Sequence, residues 1–363
     1  MRIVIVTDAW LPQTNGVVTT LQQTVRQLER FGHDVHLITP EGFATVPCPT
    51  YPEIRLALWS WREVGRRLAR IRPEAMHIAT EGPLGLAARC FAAHRGLSFT
   101  SSYHTQFPQY ISARLPIPQA TVYRYLRWFH SRSSRVMVGT EAMRRELRLN
   151  GFRRVVPWTR GVDTDRFHPG PSASPERTPT LLYVGRVAVE KSVRDFCDLR
   201  LEGRKVVVGD GPGLAELKGR YPAVDFRGFQ HGAALVSAYQ EADCFVFPSR
   251  TDTFGLVMVE ALASGVPVAA YPVPGPLASG VPVAAYPVPG PLDVITDPKV
   301  GAMDHDLRIA CLAAVSRDPA DCRRHAESFT WAECARQFRD TLRIIPRSTW
   351  QPMRGRAIPE SVS

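Results

Sequence analysis

Short apolar runs alternate with longer amphipathic stretches along nearly the whole chain. MRIVIVTD opens it as a buried strand, and TTLQQTVRQLERFG (19–32) follows with apolar residues at helical spacing and a closing glycine. DVHLITP (34–40), AMHIAT (75–80), SFTSSYH (98–104) and RVMVGT (135–140) repeat the strand pattern. WSWREVGRRLARIRP (59–73) and GPLGLAARCFAAHRG (82–96) read as helices between them. HPGPSASPERTPT (168–180) breaks this rhythm with Pro and Ser and no periodicity, as a linker does. The alternation then restarts in TLLYVGR (180–186), KVVVGDG (205–211), VDFRGF (224–229), DCFVFPS (243–249) and VPVAAYPV (266–273), and SFTWAECARQFRDTLRII (328–345) is helical.

Strands separated by helices predict parallel sheets covered on both faces. The expected organisation is an α/β domain over 1–169, a linker at 170–179, a second α/β domain over 180–345 and a tail at 346–363. Ligands of open parallel sheets bind at strand C-terminal ends, so two such domains predict one cleft between two rows of strand ends.

Composition is ordinary for a soluble globular protein, with 44% hydrophobic and 22% charged residues. No run reaches the roughly 18 apolar residues of a membrane span, and the opening run reads as a strand and not a signal peptide. The seven cysteines form no CxxC pair and no metal-ligand spacing, the pattern of buried thiols in a reducing cytoplasm. Charge is distributed unevenly. Residues 1–170 hold 23 Arg and no Lys against 12 acids, which accounts for the whole net charge of +11. An anionic partner touching only the first half fits this asymmetry, as does a basic surface without a partner.

Four stretches carry candidate chemistry. In SRTDTFGLVMVEALASG (249–265), Asp252 lies in a loop and Glu260 inside the helix that follows Gly255. Amides at that helix start suit a phosphate or sugar hydroxyl, and a carboxylate further on suits a ribose diol. A capping Asp and a solvated Glu would show the same spacing. In YVGRVAVEKS (183–192), Arg186 and Lys191 follow a strand end, where two cations can bracket a diphosphate or simply sit at the surface. In DAWLPQTNGVVTTL (8–21), Asn15-Gly16 permits close backbone approach and then opens a helix, as an unliganded turn would. In SSYHTQFPQY (101–110), His104 follows a strand, a position open to a catalytic or a structural histidine.

Together these motifs resemble the retaining GT-B glycosyltransferases of glycosyltransferase family 4 (glycosyl transferases group 1), over nearly the whole chain. Asp252 and Glu260 match its E-x7-E signature, with Asp where many members have Glu. Residues 185–191 match G-R-x-x-x-E-K. The single Gly16 stands where the family usually has two glycines. The resemblance implies a GT-B fold of two Rossmann-like domains, a nucleoside-diphosphate-sugar donor, and hexose transfer with retention by same-face attack, the leaving phosphate taking the proton. It implies no bound metal and no other cofactor. Arg186, Lys191, Gly16 and the helix start after Gly255 would then hold the diphosphate. Glu260 would hold the ribose, while Asp252, His104 and the Thr253, Phe254, Gly255, Leu256 and Val257 backbone orient the sugar. Gly209 and Gly211 of VVVGDGPG, which lacks the G-x-G-x-x-G spacing of a dinucleotide fingerprint, would line the base pocket with Phe229. SRTDTFGLV with PVPGPLDVI looks most like bacterial enzymes of glycolipid and mannosyl-lipid synthesis, which implies a lipid acceptor.

Residues 108–135 interleave Tyr, Trp, Phe and Arg, as a stretch lying on an anionic bilayer would, or a helix that packs its rings inward. A protein seated at the inner face of the plasma membrane is the expectation, with no nucleic-acid partner, since no such motif accompanies the charge. LASGVPVAAYPVPGP occurs twice without mismatch, at 262–276 and 277–291. Two copies offer two strands for one slot, and the expectation taken is that the first copy loops out. The duplication leaves open a relic that binds nucleotide sugar without turnover, and the same fold serves nucleotide-sugar 2-epimerases.

Overall fold

The computed structural model describes residues 1–13, 15–48, 51–104, 108, 117–171, 178–249, 254–271 and 290–350. The first sheet contains β1 (Arg2–Val6), β2 (Asp34–Ile38), β5 (Ala75–Ile78), β6 (Thr100–Tyr103), β7 (Val136–Val138) and β8 (Val155–Pro157), while β3 (Thr45–Cys48) and β4 (Tyr51–Ala57) form a separate antiparallel ribbon. The second sheet contains β9 (Thr180–Val184), β10 (Arg204–Val208), β11 (Asp225–Gly228), β12 (Cys244–Phe247), β13 (Val268–Ala270) and β14 (Gly301–Met303). Their orders are β2-β1-β5-β6-β7-β8 and β11-β10-β9-β12-β13-β14, and every neighbouring pair within them is parallel. Each order reverses direction once, between β1 and β5 and between β9 and β12. Crevices at such switch points are where open α/β sheets receive ligands.

Local chemistry explains the first of the connecting helices. Asn15 accepts from the amides of Val17 and Val18, each at 3.0 Å, and so caps Gly16–Arg30. Leu21, Val25 and Leu28 of that helix bury against Ile3 and Ile5 of β1. Gly32, at φ +79°, turns the chain into β2. On the opposite face of the same sheet, Val64 and Leu68 of helix Ser60–Ile71 join Leu84, Ala87 and Ala88 of helix Pro83–Arg95, with Phe129 of helix Gln119–His130.

The second domain, expected over 180–345, gives its last helix to the first. Trp331–Thr341 has an apolar face of Trp331, Cys334, Ala335 and Phe338. That face packs on the same side of the first sheet as helix Gly16–Arg30, with Trp158 Nε1 donating to the Cys334 carbonyl at 3.1 Å. Ile344 bridges Ala75 of β5, and Trp350 donates to the carbonyl of Pro73. Burial of this stripe decides the placement, and order along the chain does not.

The expectation that the first repeat copy loops out is overturned. β13 is the first copy's Val268–Ala270, paired with Phe245, Val246 and Phe247 of β12 and with β14. Helix Leu256–Ala263 runs into that copy, and Gly265 at φ +73° turns it while Val266 N donates back to the Ala261 carbonyl at 2.9 Å. A turn this tight feeds the first copy directly into the sheet. The extra residues therefore enter after Tyr271, at the C-terminal end of β13, and 272–289 lie outside the described residues. The chain returns at Gly290 and helix Pro291–Val294.

Candidate active site

The motif residues gather around the two switch points. Gly16 begins its helix beyond β1, and Arg186 follows β9 directly. Phe254 and Gly255 precede helix Leu256–Ala263 beyond β12, and Gly255 adopts φ +81° as its N-terminal cap. A side chain at Gly16 would begin 3.6 Å from Leu256 Cδ1, so the two helix starts meet across the cleft. The aligned dipoles of both helices, with the amides of the Leu256 helix start that no side chain caps, make a place for an anion. Arg186 and Lys191 are both half-buried, Lys191 closing the short 3-10 turn Val189–Lys191. Asp252 and Thr253 lie outside the described residues.

Glu260 sits in the helix below this point, where Tyr239 donates its phenol to Glu260 Oε2 at 2.9 Å. Burial raises the carboxyl's pKa, and the Tyr239 hydrogen bond opposes that rise. Glu260 is thus half-buried and bonded to Tyr239, which differs from a freely solvated helix glutamate. Val257 contributes its carbonyl to the same phenol, at 3.3 Å. Gly209 and Gly211 are required by packing: at φ +146° and +154°, their missing side chains would strike the carbonyls of Gly185 and Val187. The two turns are stitched by Val187 N to Asp210 O at 2.9 Å. Phe229 is 55% exposed beside this turn and stacks on His231 at 5.9 Å.

His104 is bound more tightly into its own domain than its motif indicates. Nε2 lies 2.8 Å from Ser102 Oγ and Nδ1 lies 3.5 Å from Arg160 Nη2. A guanidinium only donates, so Nδ1 accepts and the ring proton resides on Nε2. Burial, then the Arg160 charge, push the imidazole pKa well below its ordinary value, so the ring is neutral. Beyond Ser102 lies His77, 3.1 Å from the same Oγ and fully buried. Asp8, another acid at the end of β1, is occupied in capping helix Pro83–Arg95: it accepts from Leu84 N at 2.9 Å and Thr80 Oγ1 at 2.8 Å.

Sequence reasoning passed over Arg160, Tyr239, Ser102 and His77. Arg160 could have been found, because TRGVD follows the strand run VVPW as GRVAVEK follows TLLYV. The others sit in strand or helix interiors and carry no sequence signal of a site.

Residues 14–166 match the family model "Glycosyltransferase Family 4", and residues 178–316 match "Glycosyl transferases group 1". A GDP-mannose-dependent alpha-mannosyltransferase of Mycobacterium tuberculosis is 31% identical over 304 residues, covering 76% of this chain and 80% of the relative. The chain belongs to glycosyltransferase family 4. An alpha-monoglucosyldiacylglycerol synthase of Streptococcus pneumoniae is 27% identical over 376 residues, covering 90% of this chain and 81% of that protein. Among solved structures, sucrose-phosphate synthase from Thermosynechococcus elongatus has a TM-score of 0.68 at 19% identity, covering 93% of this chain and 97% of the other. Anabaena HepE, solved with UDP and glucose, gives 0.66 at 14% identity, covering 94% and 99%. The architecture of this family member is GT-B, as its motifs implied.

Proposed function

We propose that this protein moves a hexose from a nucleoside-diphosphate sugar to a lipid acceptor at a membrane surface, with retention at the anomeric carbon. The observation that carries the reading is the meeting of the Gly16 and Leu256 helix starts beside the strand end that bears Arg186. Two helix N-termini and two cations stabilise a leaving diphosphate without a metal. Glu260, held by Tyr239, binds the ribose, and Asp252 with the 253–257 backbone orients the sugar. The acceptor oxygen attacks the face from which the diphosphate departs, and its proton passes to a departing phosphate oxygen.

Two outer helices on one face of the first sheet support the membrane partner. Trp59 and Trp61 are 90% and 57% exposed at the start of helix Ser60–Ile71, with Arg62, Arg66 and Arg70 exposed along it. Helix Gln119–His130 buries Val122, Leu126 and Phe129 and turns Tyr125, Trp128, Arg124 and Arg127 outward. Interleaved aromatics and arginines suit the interface of an anionic bilayer. Among the described residues no helix is long and apolar enough to cross a membrane, and the reading is of a peripheral protein at the inner face of the plasma membrane. Nucleoside-diphosphate release from UDP-glucose, UDP-glucuronate and GDP-mannose, with and without diacylglycerol–anionic phospholipid vesicles, tests it. Release that needs one donor and lipid, with a retained anomer by NMR, is expected. Release that ignores lipid overturns the acceptor, and an isomerised donor sugar points to an epimerase.

A further inference from the structure

Arg160 is 5% exposed, and among the described residues nothing that holds it is an anion. Its Nη1 donates to the carbonyls of Trp158 at 2.6 Å and Thr159 at 3.1 Å. Its guanidinium carbon lies 4.4 Å from the centre of a Trp158 ring, and Nη2 meets His104. Among the described residues no carboxylate pairs with it. Arg89 is also held by carbonyls, those of Trp128 and Phe129, but in the outer helix layer away from the strand ends. Burial lowers the Arg160 pKa to about 10, which still leaves a cation at neutral pH. Uncompensated buried cations are disfavoured unless something supplies the opposite charge.

Its position says where that charge belongs. Arg160 lies beyond β8, and its Nη2 is 3.4 Å from the point where a side chain at Gly139 would begin. Phe254 Cβ of the second domain lies 3.6 Å from the same point. The guanidinium therefore reaches the seam where the loop into helix Leu256–Ala263 approaches. We propose that Arg160 binds a phosphate oxygen of the donor's diphosphate from the first domain, opposite Arg186 and Lys191. The inference rests on the nucleoside-diphosphate-sugar reading above. As the bond from C1 to the diphosphate oxygen breaks, that oxygen takes the electron pair, and the acceptor oxygen bonds to C1 and gives up its proton to the phosphate. Arg160 donates to the developing negative charge throughout, and a planar fork suits phosphate. The Nδ1 contact gives Arg160 a second effect, since it fixes the His104 tautomer.

The test is calorimetry of UDP and GDP, against uridine and guanosine, on wild type, Arg160→Gln and Arg160→Lys, with circular dichroism as the check of fold. Arg160→Gln should weaken binding of the preferred nucleoside diphosphate by about tenfold or more while leaving the bare nucleoside within about twofold. Arg160→Lys, which keeps the charge and loses the fork, should fall between, and it carries the test alone if the Gln variant is unfolded. Equal loss for nucleoside and diphosphate would mean that Arg160 only props the Trp158–Thr159 turn, and unchanged diphosphate affinity would likewise overturn the proposal. Failure of wild type to bind either diphosphate overturns the donor reading instead, and the inference with it.

Discussion

Asp293 Oδ1 accepts a hydrogen bond from the backbone amide of Glu141 at 3.0 Å, and this bond joins the two domains. Asp293 belongs to helix Pro291–Val294, and Glu141 is the first residue of helix Glu141–Leu149 in the first domain. A carboxylate there satisfies an orphan amide and favours the positive end of the helix. Asp293→Ala should cost about 1 kcal/mol in urea unfolding, in the range of a lost helix cap. The larger effect should fall on donor KM, because this bond helps hold the domains together. An unchanged KM beside lowered stability would show that Asp293 is a cap and has no part in closure.

The duplication can be removed without touching any described contact of β13. Deleting 277–291 leaves the first copy running straight into Leu292 and Asp293, so Pro276 takes the place of Pro291. Loop closure changes by only ~0.6 kcal/mol per doubling of length, so stability should rise by less than about 1 kcal/mol. If the extra residues after β13 encumber the cleft, kcat/KM rises in the deleted form, measured by diphosphate release. A protein that no longer folds on deletion would show that the second copy has taken a place in the core.

What the sequence made legible was what its periodicities govern. Strand-length runs such as TLLYVGR and AMHIAT became strands, because burial on both faces leaves few other ways to pack them. The destination of Trp331–Thr341 was not legible, since an apolar stripe states that a partner exists and does not state which. The choice between repeat copies could not be read from identical side chains. It was made by the tight Gly265 turn, a matter of connection length. At the site, the motifs put Arg186, Gly16 and the Gly255 helix start after strand ends, and the structure has them beyond β9, β1 and β12. They gave no notice of the chain Arg160–His104–Ser102–His77, because its Arg160–His104 and His77–Ser102 contacts join segments 56 and 25 residues apart.

Tyr239 and Glu260 form a pair whose loss should be read in binding. Tyr239→Phe removes the donor to Oε2 and keeps the ring that packs against Phe167 and Phe245. The half-buried carboxylate then loses its phenol partner, at a cost of about 1 kcal/mol. Its pKa should rise further, since the bond that opposes burial is gone. If Glu260 holds the ribose as proposed, affinity for a nucleoside diphosphate should fall by about tenfold, more so at pH 5 than at pH 8, because a protonated carboxyl is a weaker acceptor than a carboxylate. Equal affinity at both pH values would separate Glu260 from ribose binding.

His77 sets a pH dependence of folding. It lies between Thr100 Oγ1 at 2.9 Å and Ser102 Oγ at 3.1 Å, with Phe338 at 4.7 Å, and burial lowers its pKa to about 3, helped by nearby His130. The unfolded chain binds a proton near pH 6.5 and the folded one does not. His77 therefore contributes stability that is complete above about pH 6.5 and is lost toward pH 3, by about 1.4 kcal/mol per unit. His104 is shifted the same way. Asp8 and Glu260 act in the opposite sense: their raised carboxyl pKa values mean that the folded form keeps protons the unfolded form releases, which adds stability as the pH falls. Total stability mixes these slopes, so the informative quantity is the difference between wild type and His77→Asn. Urea midpoints between pH 7 and pH 4.5 should fall more steeply for wild type than for the variant. Parallel slopes would mean that His77 takes up a proton without unfolding, so that the Thr100–Ser102 contacts do not hold it neutral.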